Sequence, residues 1–224
     1  MMKTIAYYIS DYGLGHCTRS VAVIRELFNQ STTPLKIIIC HSFGVQFLKE
    51  SLNGLNISYR EIQTDVGYVL KANSMDVDKK LLEKSYLKFM DSFSSKQNAE
   101  EEFLIANNVD LIISDISPLP FKPGRKLSIP TIGISNFTWY TAYHGLLDEE
   151  HLIQLKEAYT DMDYQFTLAG SADPDWSKGN KESFDFFSRL SDESEVERIR
   201  KEINPRSDKK VIFFGLGMKI DVPV

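Results

Sequence analysis

The segment Asp11-Tyr12-Gly13-Leu14-Gly15-His16 follows directly on the first apolar run of the chain, and a helical pattern begins soon after it. Gly13 and Gly15 let the backbone approach a ligand closely, and amides at a helix start favour anions or polar groups. An imidazole in such a loop can take a proton from an attacking hydroxyl, so His16 is the first candidate for catalysis. A lone histidine is more often structural, and its reading depends on a partner. Asp115 is a candidate partner, because it closes the apolar run Leu111–Ser114. A carboxylate there would hold one ring tautomer and stabilise the protonated form. The competing reading for Asp115 is a helix N-cap ahead of Pro118.

Other residues join this constellation with a bland alternative each. Arg19 can meet a phosphate or an acid, or form a surface ion pair. Asn136 and Trp139 can offer an amide and an indole face to a sugar, or serve capping and core packing. Asp65 and Gly67 can shape the same rim, although Gly67 alone is also ordinary turn chemistry. His41, His144 and His151 show no ligand spacing, and no metal site is expected. A dinucleotide fingerprint is incomplete. Gly13-x-Gly15 is followed at the last place by Thr18, and the second apolar run ends in Cys40-His41-Ser42 without an acidic residue.

The elements that must position these residues alternate. Ile5–Ser10, Leu35–His41, Ile57–Ile62, Leu111–Ser114, Thr131–Ser135 and Tyr164–Leu168 read as short strands rich in β-branched and aromatic residues. Their nearly continuous apolar character suits strands covered on both faces. Ser20–Asn29 and Val45–Leu52 have helical spacing, so the fold class is α/β, Rossmann-like and doubly wound, with a mainly parallel sheet. A long helical stretch over Val77–Asn107 carries Leu81, Leu82, Tyr86, Phe89 and Phe93 on one stripe, with Ser92–Ser95 as the place for a kink. A helical region runs from Thr138 to Tyr159, Ser171–Asn180 is loop-like, and Ser194–Ile203 is a charged helix capped by Ser191 or Asp192. Residues 1–204 then form one domain. Pro205–Lys210 is a polar linker, and Val211–Phe214 with Gly215-Leu216-Gly217 reads as the first strand of a second, truncated domain over 205–224.

Composition sets outer limits. Hydrophobic residues make up 42% and charged residues 25%, with a formal net charge of -5. That is an ordinary globular composition, and it speaks against a nucleic-acid or anionic-membrane binder. Two cysteines, Cys17 and Cys40, make neither a disulfide framework nor a metal site, which suits a cytoplasmic protein. The short apolar N-terminus lacks a signal-peptide pattern, and no stretch is long enough for a transmembrane span.

Tyr8–Leu27 (YISDYGLGHCTRSVAVIREL) resembles the G-H-x-T-R loop and first helix of glycosyltransferases of the two-domain GT-B fold. It is similar in particular to the glycosyltransferase-like N-terminal half of plant arabinokinases and their bacterial and archaeal relatives. Asp65-Val66-Gly67 with Ser74–Lys84, Asp110–Pro118, Ser135–Trp139, and Arg198–Asn204 with Val211–Gly217 fit the same pattern in order. The resemblance implies an acceptor-side domain whose missing partner grips a nucleotide sugar, with catalysis in the cleft, no cofactor and no required metal. His16 matches the residue that deprotonates the acceptor hydroxyl, and Asp115 the aspartate that assists it. Partners are then a nucleotide sugar and a glycan or small-molecule acceptor, and the exposed cleft face invites homo-oligomers. A sugar-nucleotide hydrolase or epimerase of similar fold, or a non-catalytic sugar- or nucleotide-binding module, remains the alternative, since such folds host many chemistries.

Overall fold

The computed structural model describes residues 1–213. Seven strands, β1 (Lys3–Ile9), β2 (Leu35–Cys40), β3 (Ile57–Arg60), β4 (Leu111–Asp115), β5 (Thr131–Ser135), β6 (Tyr164–Thr167) and β7 (Lys181–Ser183), form one sheet in the order β3-β2-β1-β4-β5-β6-β7. Every pairing is parallel. Helices α1 (Leu14–Gln30), α2 (Val45–Ser51), α3 (Lys79–Asp91), α4 (Phe93–Ala106), α5 (Phe121–Lys126), α6 (Trp139–Tyr143), α7 (Glu149–Tyr159) and α8 (Glu193–Ile203) complete the described elements.

Strand periodicity explains the two covered faces. Ile5, Tyr7 and Ile9 of β1 pack with Cys17, Val21 and Ile24 of α1 and Leu48 of α2. The intervening Ala6 and Tyr8 point to the other side, against Leu104 of α4 and Ile112 of β4. With both faces apolar, a central strand must read as a continuous hydrophobic run, and each buried Ile or Leu contributes about 1.5–3 kcal/mol. On the α4 side a buried carboxylate, Glu100, accepts from both Arg60 and the Tyr8 hydroxyl, tying α4 to β3 and β1. The doubly wound parallel architecture expected from the sequence is present.

Topology fixes where a ligand can bind. From β1 the chain winds outward through β2 to β3, then returns over α3 and α4 to lay β4 on the opposite side of β1. The strand order therefore reverses between β1 and β4, and their carboxyl ends form the switch-point crevice where open α/β sheets take ligands. Ile9 pairs with Asp115, and the Ser10 N–H donates to the Asp115 carbonyl at 3.0 Å.

Several element boundaries differ from the sequence reading. Helix α1 starts at Leu14, so Gly15 and His16 belong to its first turn and only Gly13, with φ 73°, makes the tight entry. The long helical stretch is two helices parted at Ser92, and Leu81 is 50% exposed while Leu82, Tyr86, Phe89 and Phe93 are buried. The region from Thr138 to Tyr159 divides into α6 and α7 around Gly145, whose φ is 75°. Strand β7 has the sequence KES and is fully exposed, so no apolar pattern announced it. Asp192 caps α8 through the amides of Ser194 and Glu195. Val211–Phe213 are exposed and make no strand, while Phe214 and Gly215–Gly217 lie outside the described residues. Among the described residues no helix is long and apolar enough to cross a membrane.

Candidate active site

His16 sits on the third residue of α1, directly above the β1 carboxyl end, and Asp115 is the last residue of β4. The adjacent strands bring together side chains 99 positions apart: His16 Nδ1 lies 2.9 Å from Asp115 Oδ1. His16 is 8% exposed and Asp115 1%. The N-cap reading of Asp115 fails, because its carboxylate is spent on His16 and on Arg19, one helical turn further along α1. Arg19 grips both carboxylate oxygens, Nε to Oδ2 at 2.6 Å and Nη2 to Oδ1 at 2.6 Å. Its Nη1 donates to Asn136 Oδ1 at 2.7 Å. Arg19 is thus neither a surface ion pair nor a group open to phosphate. Asn136, after β5, is committed to Arg19.

Burial alone would push the Asp115 carboxyl up; the Arg19 charge and its hydrogen bonds outweigh this, with a smaller help from His16, and hold it well below the usual carboxylate range. For Arg19 burial works against the charge, and Asp115 more than compensates, raising its affinity for the proton. Asp115 is therefore an anion at neutral pH.

The His16 ring has two ways to satisfy its neighbours. Nδ1–H can donate to Asp115 Oδ1, leaving Nε2 as a bare acceptor. Alternatively Nδ1 accepts from Arg19 Nη2, 3.0 Å away, and Nε2 keeps the proton. The first tautomer is a base. The second is only a donor.

His16 lines an open cavity of about 510 Å³ whose other walls are Tyr12, Gly13, Gly15, Tyr68, Leu70, Met75, Val77, Phe137 and Leu146. A Cβ on Gly15 would meet no atom within 4 Å, so this glycine leaves the approach over the first turn of α1 open. Gly67, with φ 71°, allows a close contact from behind, since a Cβ there would lie 2.5 Å from the Tyr12 ring. The wall formed by Leu70, Met75 and Val77 belongs to a small two-stranded turn closed by a bridge between Leu70 and Val77. None of these apolar wall residues was a candidate in the sequence. The available signal was Tyr12 inside the glycine-rich segment and the clustering of apolar residues around Asp65 and Ser74.

Trp139 does not reach the cavity. It is 1% exposed, stacks on Tyr143 at 5.2 Å, and supports Tyr12, Tyr68 and Phe137 edge-on from beneath. The indole belongs to the core because the rings of Tyr12, Tyr68, Phe137 and Tyr143 close around it. Asp65 is also buried, 4% exposed, and its Oδ1 accepts the Asp11 N–H at 3.1 Å. Its Oδ2, Ser10 Oγ and Trp139 Nε1 are buried without a hydrogen bond of acceptable geometry. Desolvation, then the negative charge of Asp11, pushes Asp65 up to about 6, while Ser10, Trp139 and His16 offset only part of that.

A second imidazole anchors the same loop. His41, at the end of β2, is 1% exposed, with Nδ1 2.9 Å from Asp11 Oδ1 and Nε2 3.2 Å from Cys17 Sγ. Burial opposes its charge, but the hydrogen bonds with Asp11 and Cys17 prevail and raise it to about 10. Asp11 also accepts the N–H groups of Ser42 and Thr64 at 2.9 and 2.8 Å. This network fixes the turn from which α1 launches His16.

No protein-family model matches the chain. Among curated proteins, L-arabinokinase of Arabidopsis thaliana is 24% identical over 172 residues, which covers 74% of this chain and 16% of the kinase. In the solved structures, UGT89C1 of Arabidopsis thaliana superposes with a TM-score of 0.55 at 10% identity, over 89% of this chain and 54% of its own. The same protein has been crystallised with UDP-L-rhamnose. MurG of Acinetobacter baumannii aligns at 14% identity and a TM-score of 0.45, over 79% of this chain and 44% of its own. The chain spans about half of these two structures and a small part of the kinase. Its fold is that of the N-terminal domain of GT-B glycosyltransferases.

Proposed function

We propose that this chain is the acceptor-binding half of a glycosyltransferase, in which His16 removes the proton from an acceptor hydroxyl as that oxygen attacks the anomeric carbon of a nucleotide sugar. The nucleotide leaves through its terminal phosphate oxygen with the electron pair of the broken C–O bond. The observation that carries the reading is the His16–Asp115 pair at the switch point, with the ring on the wall of an open cavity. In the base-competent tautomer Nδ1–H is held by Asp115, and Nε2 is the acceptor for the hydroxyl proton. Asp115, already an anion, then stabilises the imidazolium that forms, and Arg19 keeps the carboxylate oriented. The step uses no metal and no cofactor. The sugar donor is a nucleotide sugar, the class of ligand with which UGT89C1 has been crystallised, gripped by a second domain that follows residue 204.

The cavity walls favour an apolar acceptor. Tyr12, Tyr68, Phe137, Leu70, Met75, Val77 and Leu146 present apolar and aromatic surface, with His16 as the one imidazole among them. Such a wall binds an aromatic or aliphatic alcohol or phenol by desolvation and delivers a single hydroxyl to Nε2. A polyhydroxylated glycan would leave its hydroxyls unpaired against it.

Two measurements test this. Calorimetric titration of the 224-residue chain with simple phenols should show binding that Gly15→Trp abolishes by filling the cavity mouth. With the chain joined to a donor-binding domain, His16→Ala should lower transfer from UDP-sugars by ~10²-fold or more. Unchanged turnover in that variant removes His16 from the reaction, and release of free sugar without acceptor identifies a hydrolase.

A further inference from the structure

The starts of α3 and α7 meet at three side chains that the His16 cavity does not use: Glu83, Asp148 and His151. Their candidate ligand atoms all lie within 4.8 Å of one another. In sequence Glu83 is far from the other two, which is why no ligand spacing was visible there. We propose that they form a divalent-cation site bracing α3 against α7.

Three observations point to a cation rather than to hydrogen bonding. His151 Nδ1 is shielded from solvent and has no hydrogen-bond partner among the described residues. It lies 3.6 Å from Glu83 Oε1, too long for a hydrogen bond. That separation is close to the edge of about 3.4 Å expected between two ligands held ~2.1 Å from a tetrahedral zinc. Asp148, at the N-cap position of α7, makes no side-chain cap, so its carboxylate is uncommitted. The backbone beneath is fixed, because the Tyr86 hydroxyl donates to the His151 carbonyl at 2.8 Å and the His151 N–H donates to the Asp148 carbonyl at 3.0 Å. Leu82 and Tyr86 of α3 share a buried cluster with Leu152 and Leu155 of α7.

One imidazole and two carboxylates make a set of intermediate softness, suited to Zn²⁺ or Mn²⁺ more than to Mg²⁺ or Ca²⁺, which prefer oxygen alone. Water would complete the coordination. The site has a structural consequence, since Val77, just before α3, and Leu146, just before α7, are both walls of the His16 cavity. A cation joining the two helices would hold that wall in place. The site does not rest on the glycosyltransferase reading and can fail without it.

The test is titration of the chelator-stripped full chain with zinc chloride, read by competition with a chromophoric chelator and by thermal unfolding. We expect saturation near one equivalent, a rise in melting temperature, and loss of both effects in Glu83→Gln and in His151→Ala. Each variant should weaken zinc by about tenfold or more. His144→Ala, at an exposed imidazole 3.2 Å from Glu149, should bind zinc as the parent does. Glu83 is partly exposed, so its glutamine variant should fold even if the histidine variant does not. Absence of stoichiometric binding overturns the site. So does binding that both ligand variants retain, which would move the zinc to other surface groups or to the cysteines.

Discussion

Asp115 and Asp65 are both buried beside the loop that follows β1, 1% and 4% exposed, yet their surroundings drive them in opposite directions. Asp115 accepts a bidentate guanidinium and an imidazole, and its carboxyl is held below the ordinary range. Asp65 has one backbone donor, one orphan oxygen and a neighbouring carboxylate, and is pushed up to about 6. Burial is common to the two. The difference is whether a fixed cation accompanies the charge, and the protein supplies Arg19 only on the side that faces His16.

The linkage signs follow. A depressed native value means that Asp115 binds fewer protons folded than unfolded. Its stabilisation is present above its unfolded value of 3.8 and is lost as pH falls through the strongly acid native value. Asp65 is the reverse: the folded state holds its proton more tightly, so its contribution is present below 3.8 and is lost as pH rises through about 6. At neutral pH Asp65 therefore weakens the fold that Asp115 strengthens.

The largest break in this comparison should come from Asp115→Asn, which leaves Arg19 buried without its counter-charge. Urea unfolding at pH 7 should show a loss of about 3–5 kcal/mol. A loss below about 1 kcal/mol would mean that water, not Asp115, satisfies Arg19. Next in size, Asp65→Asn should gain on the parent as pH rises. The stability difference between the two proteins should shift by roughly 2.5 kcal/mol in the variant's favour between pH 4 and pH 7.5. A difference that does not change with pH would show that Asp65 is ordinary. The smallest expected effect is that of Trp139→Phe, which removes an indole N–H that partly restrains Asp65. A ¹³C titration of the Asp65 carboxyl should move up by a fraction of a unit, with the Asp115 signal unmoved.

The sheet was legible because strands covered on both faces read as nearly continuous apolar runs, as β1, β2 and β4 do over most of their length. β7 was not, since a three-residue exposed edge strand carries no hydrophobic signal. The His16–Asp115 pairing could be anticipated from two strand ends alone, once the sheet was parallel and the strands adjacent. Arg19's true partners could not, because they depend on the 100° turn per residue of a helix that begins six positions before its apolar spacing becomes clear. For Trp139 the sequence left sugar contact and core packing both open, for a related reason. Its neighbours Tyr12 and Tyr68 come from distant segments, and only their convergence with Tyr143 of the same helix makes the indole a core residue.

The tight packing of Gly67 against Tyr12 means that the width of the cavity is set by an atom the chain omits. Any side chain introduced at 67 obliges the phenol ring to move, and that ring is a wall. The shape of the cavity can therefore be retuned from outside it, by one exchange that leaves the His16 imidazole and the Asp115 carboxylate untouched.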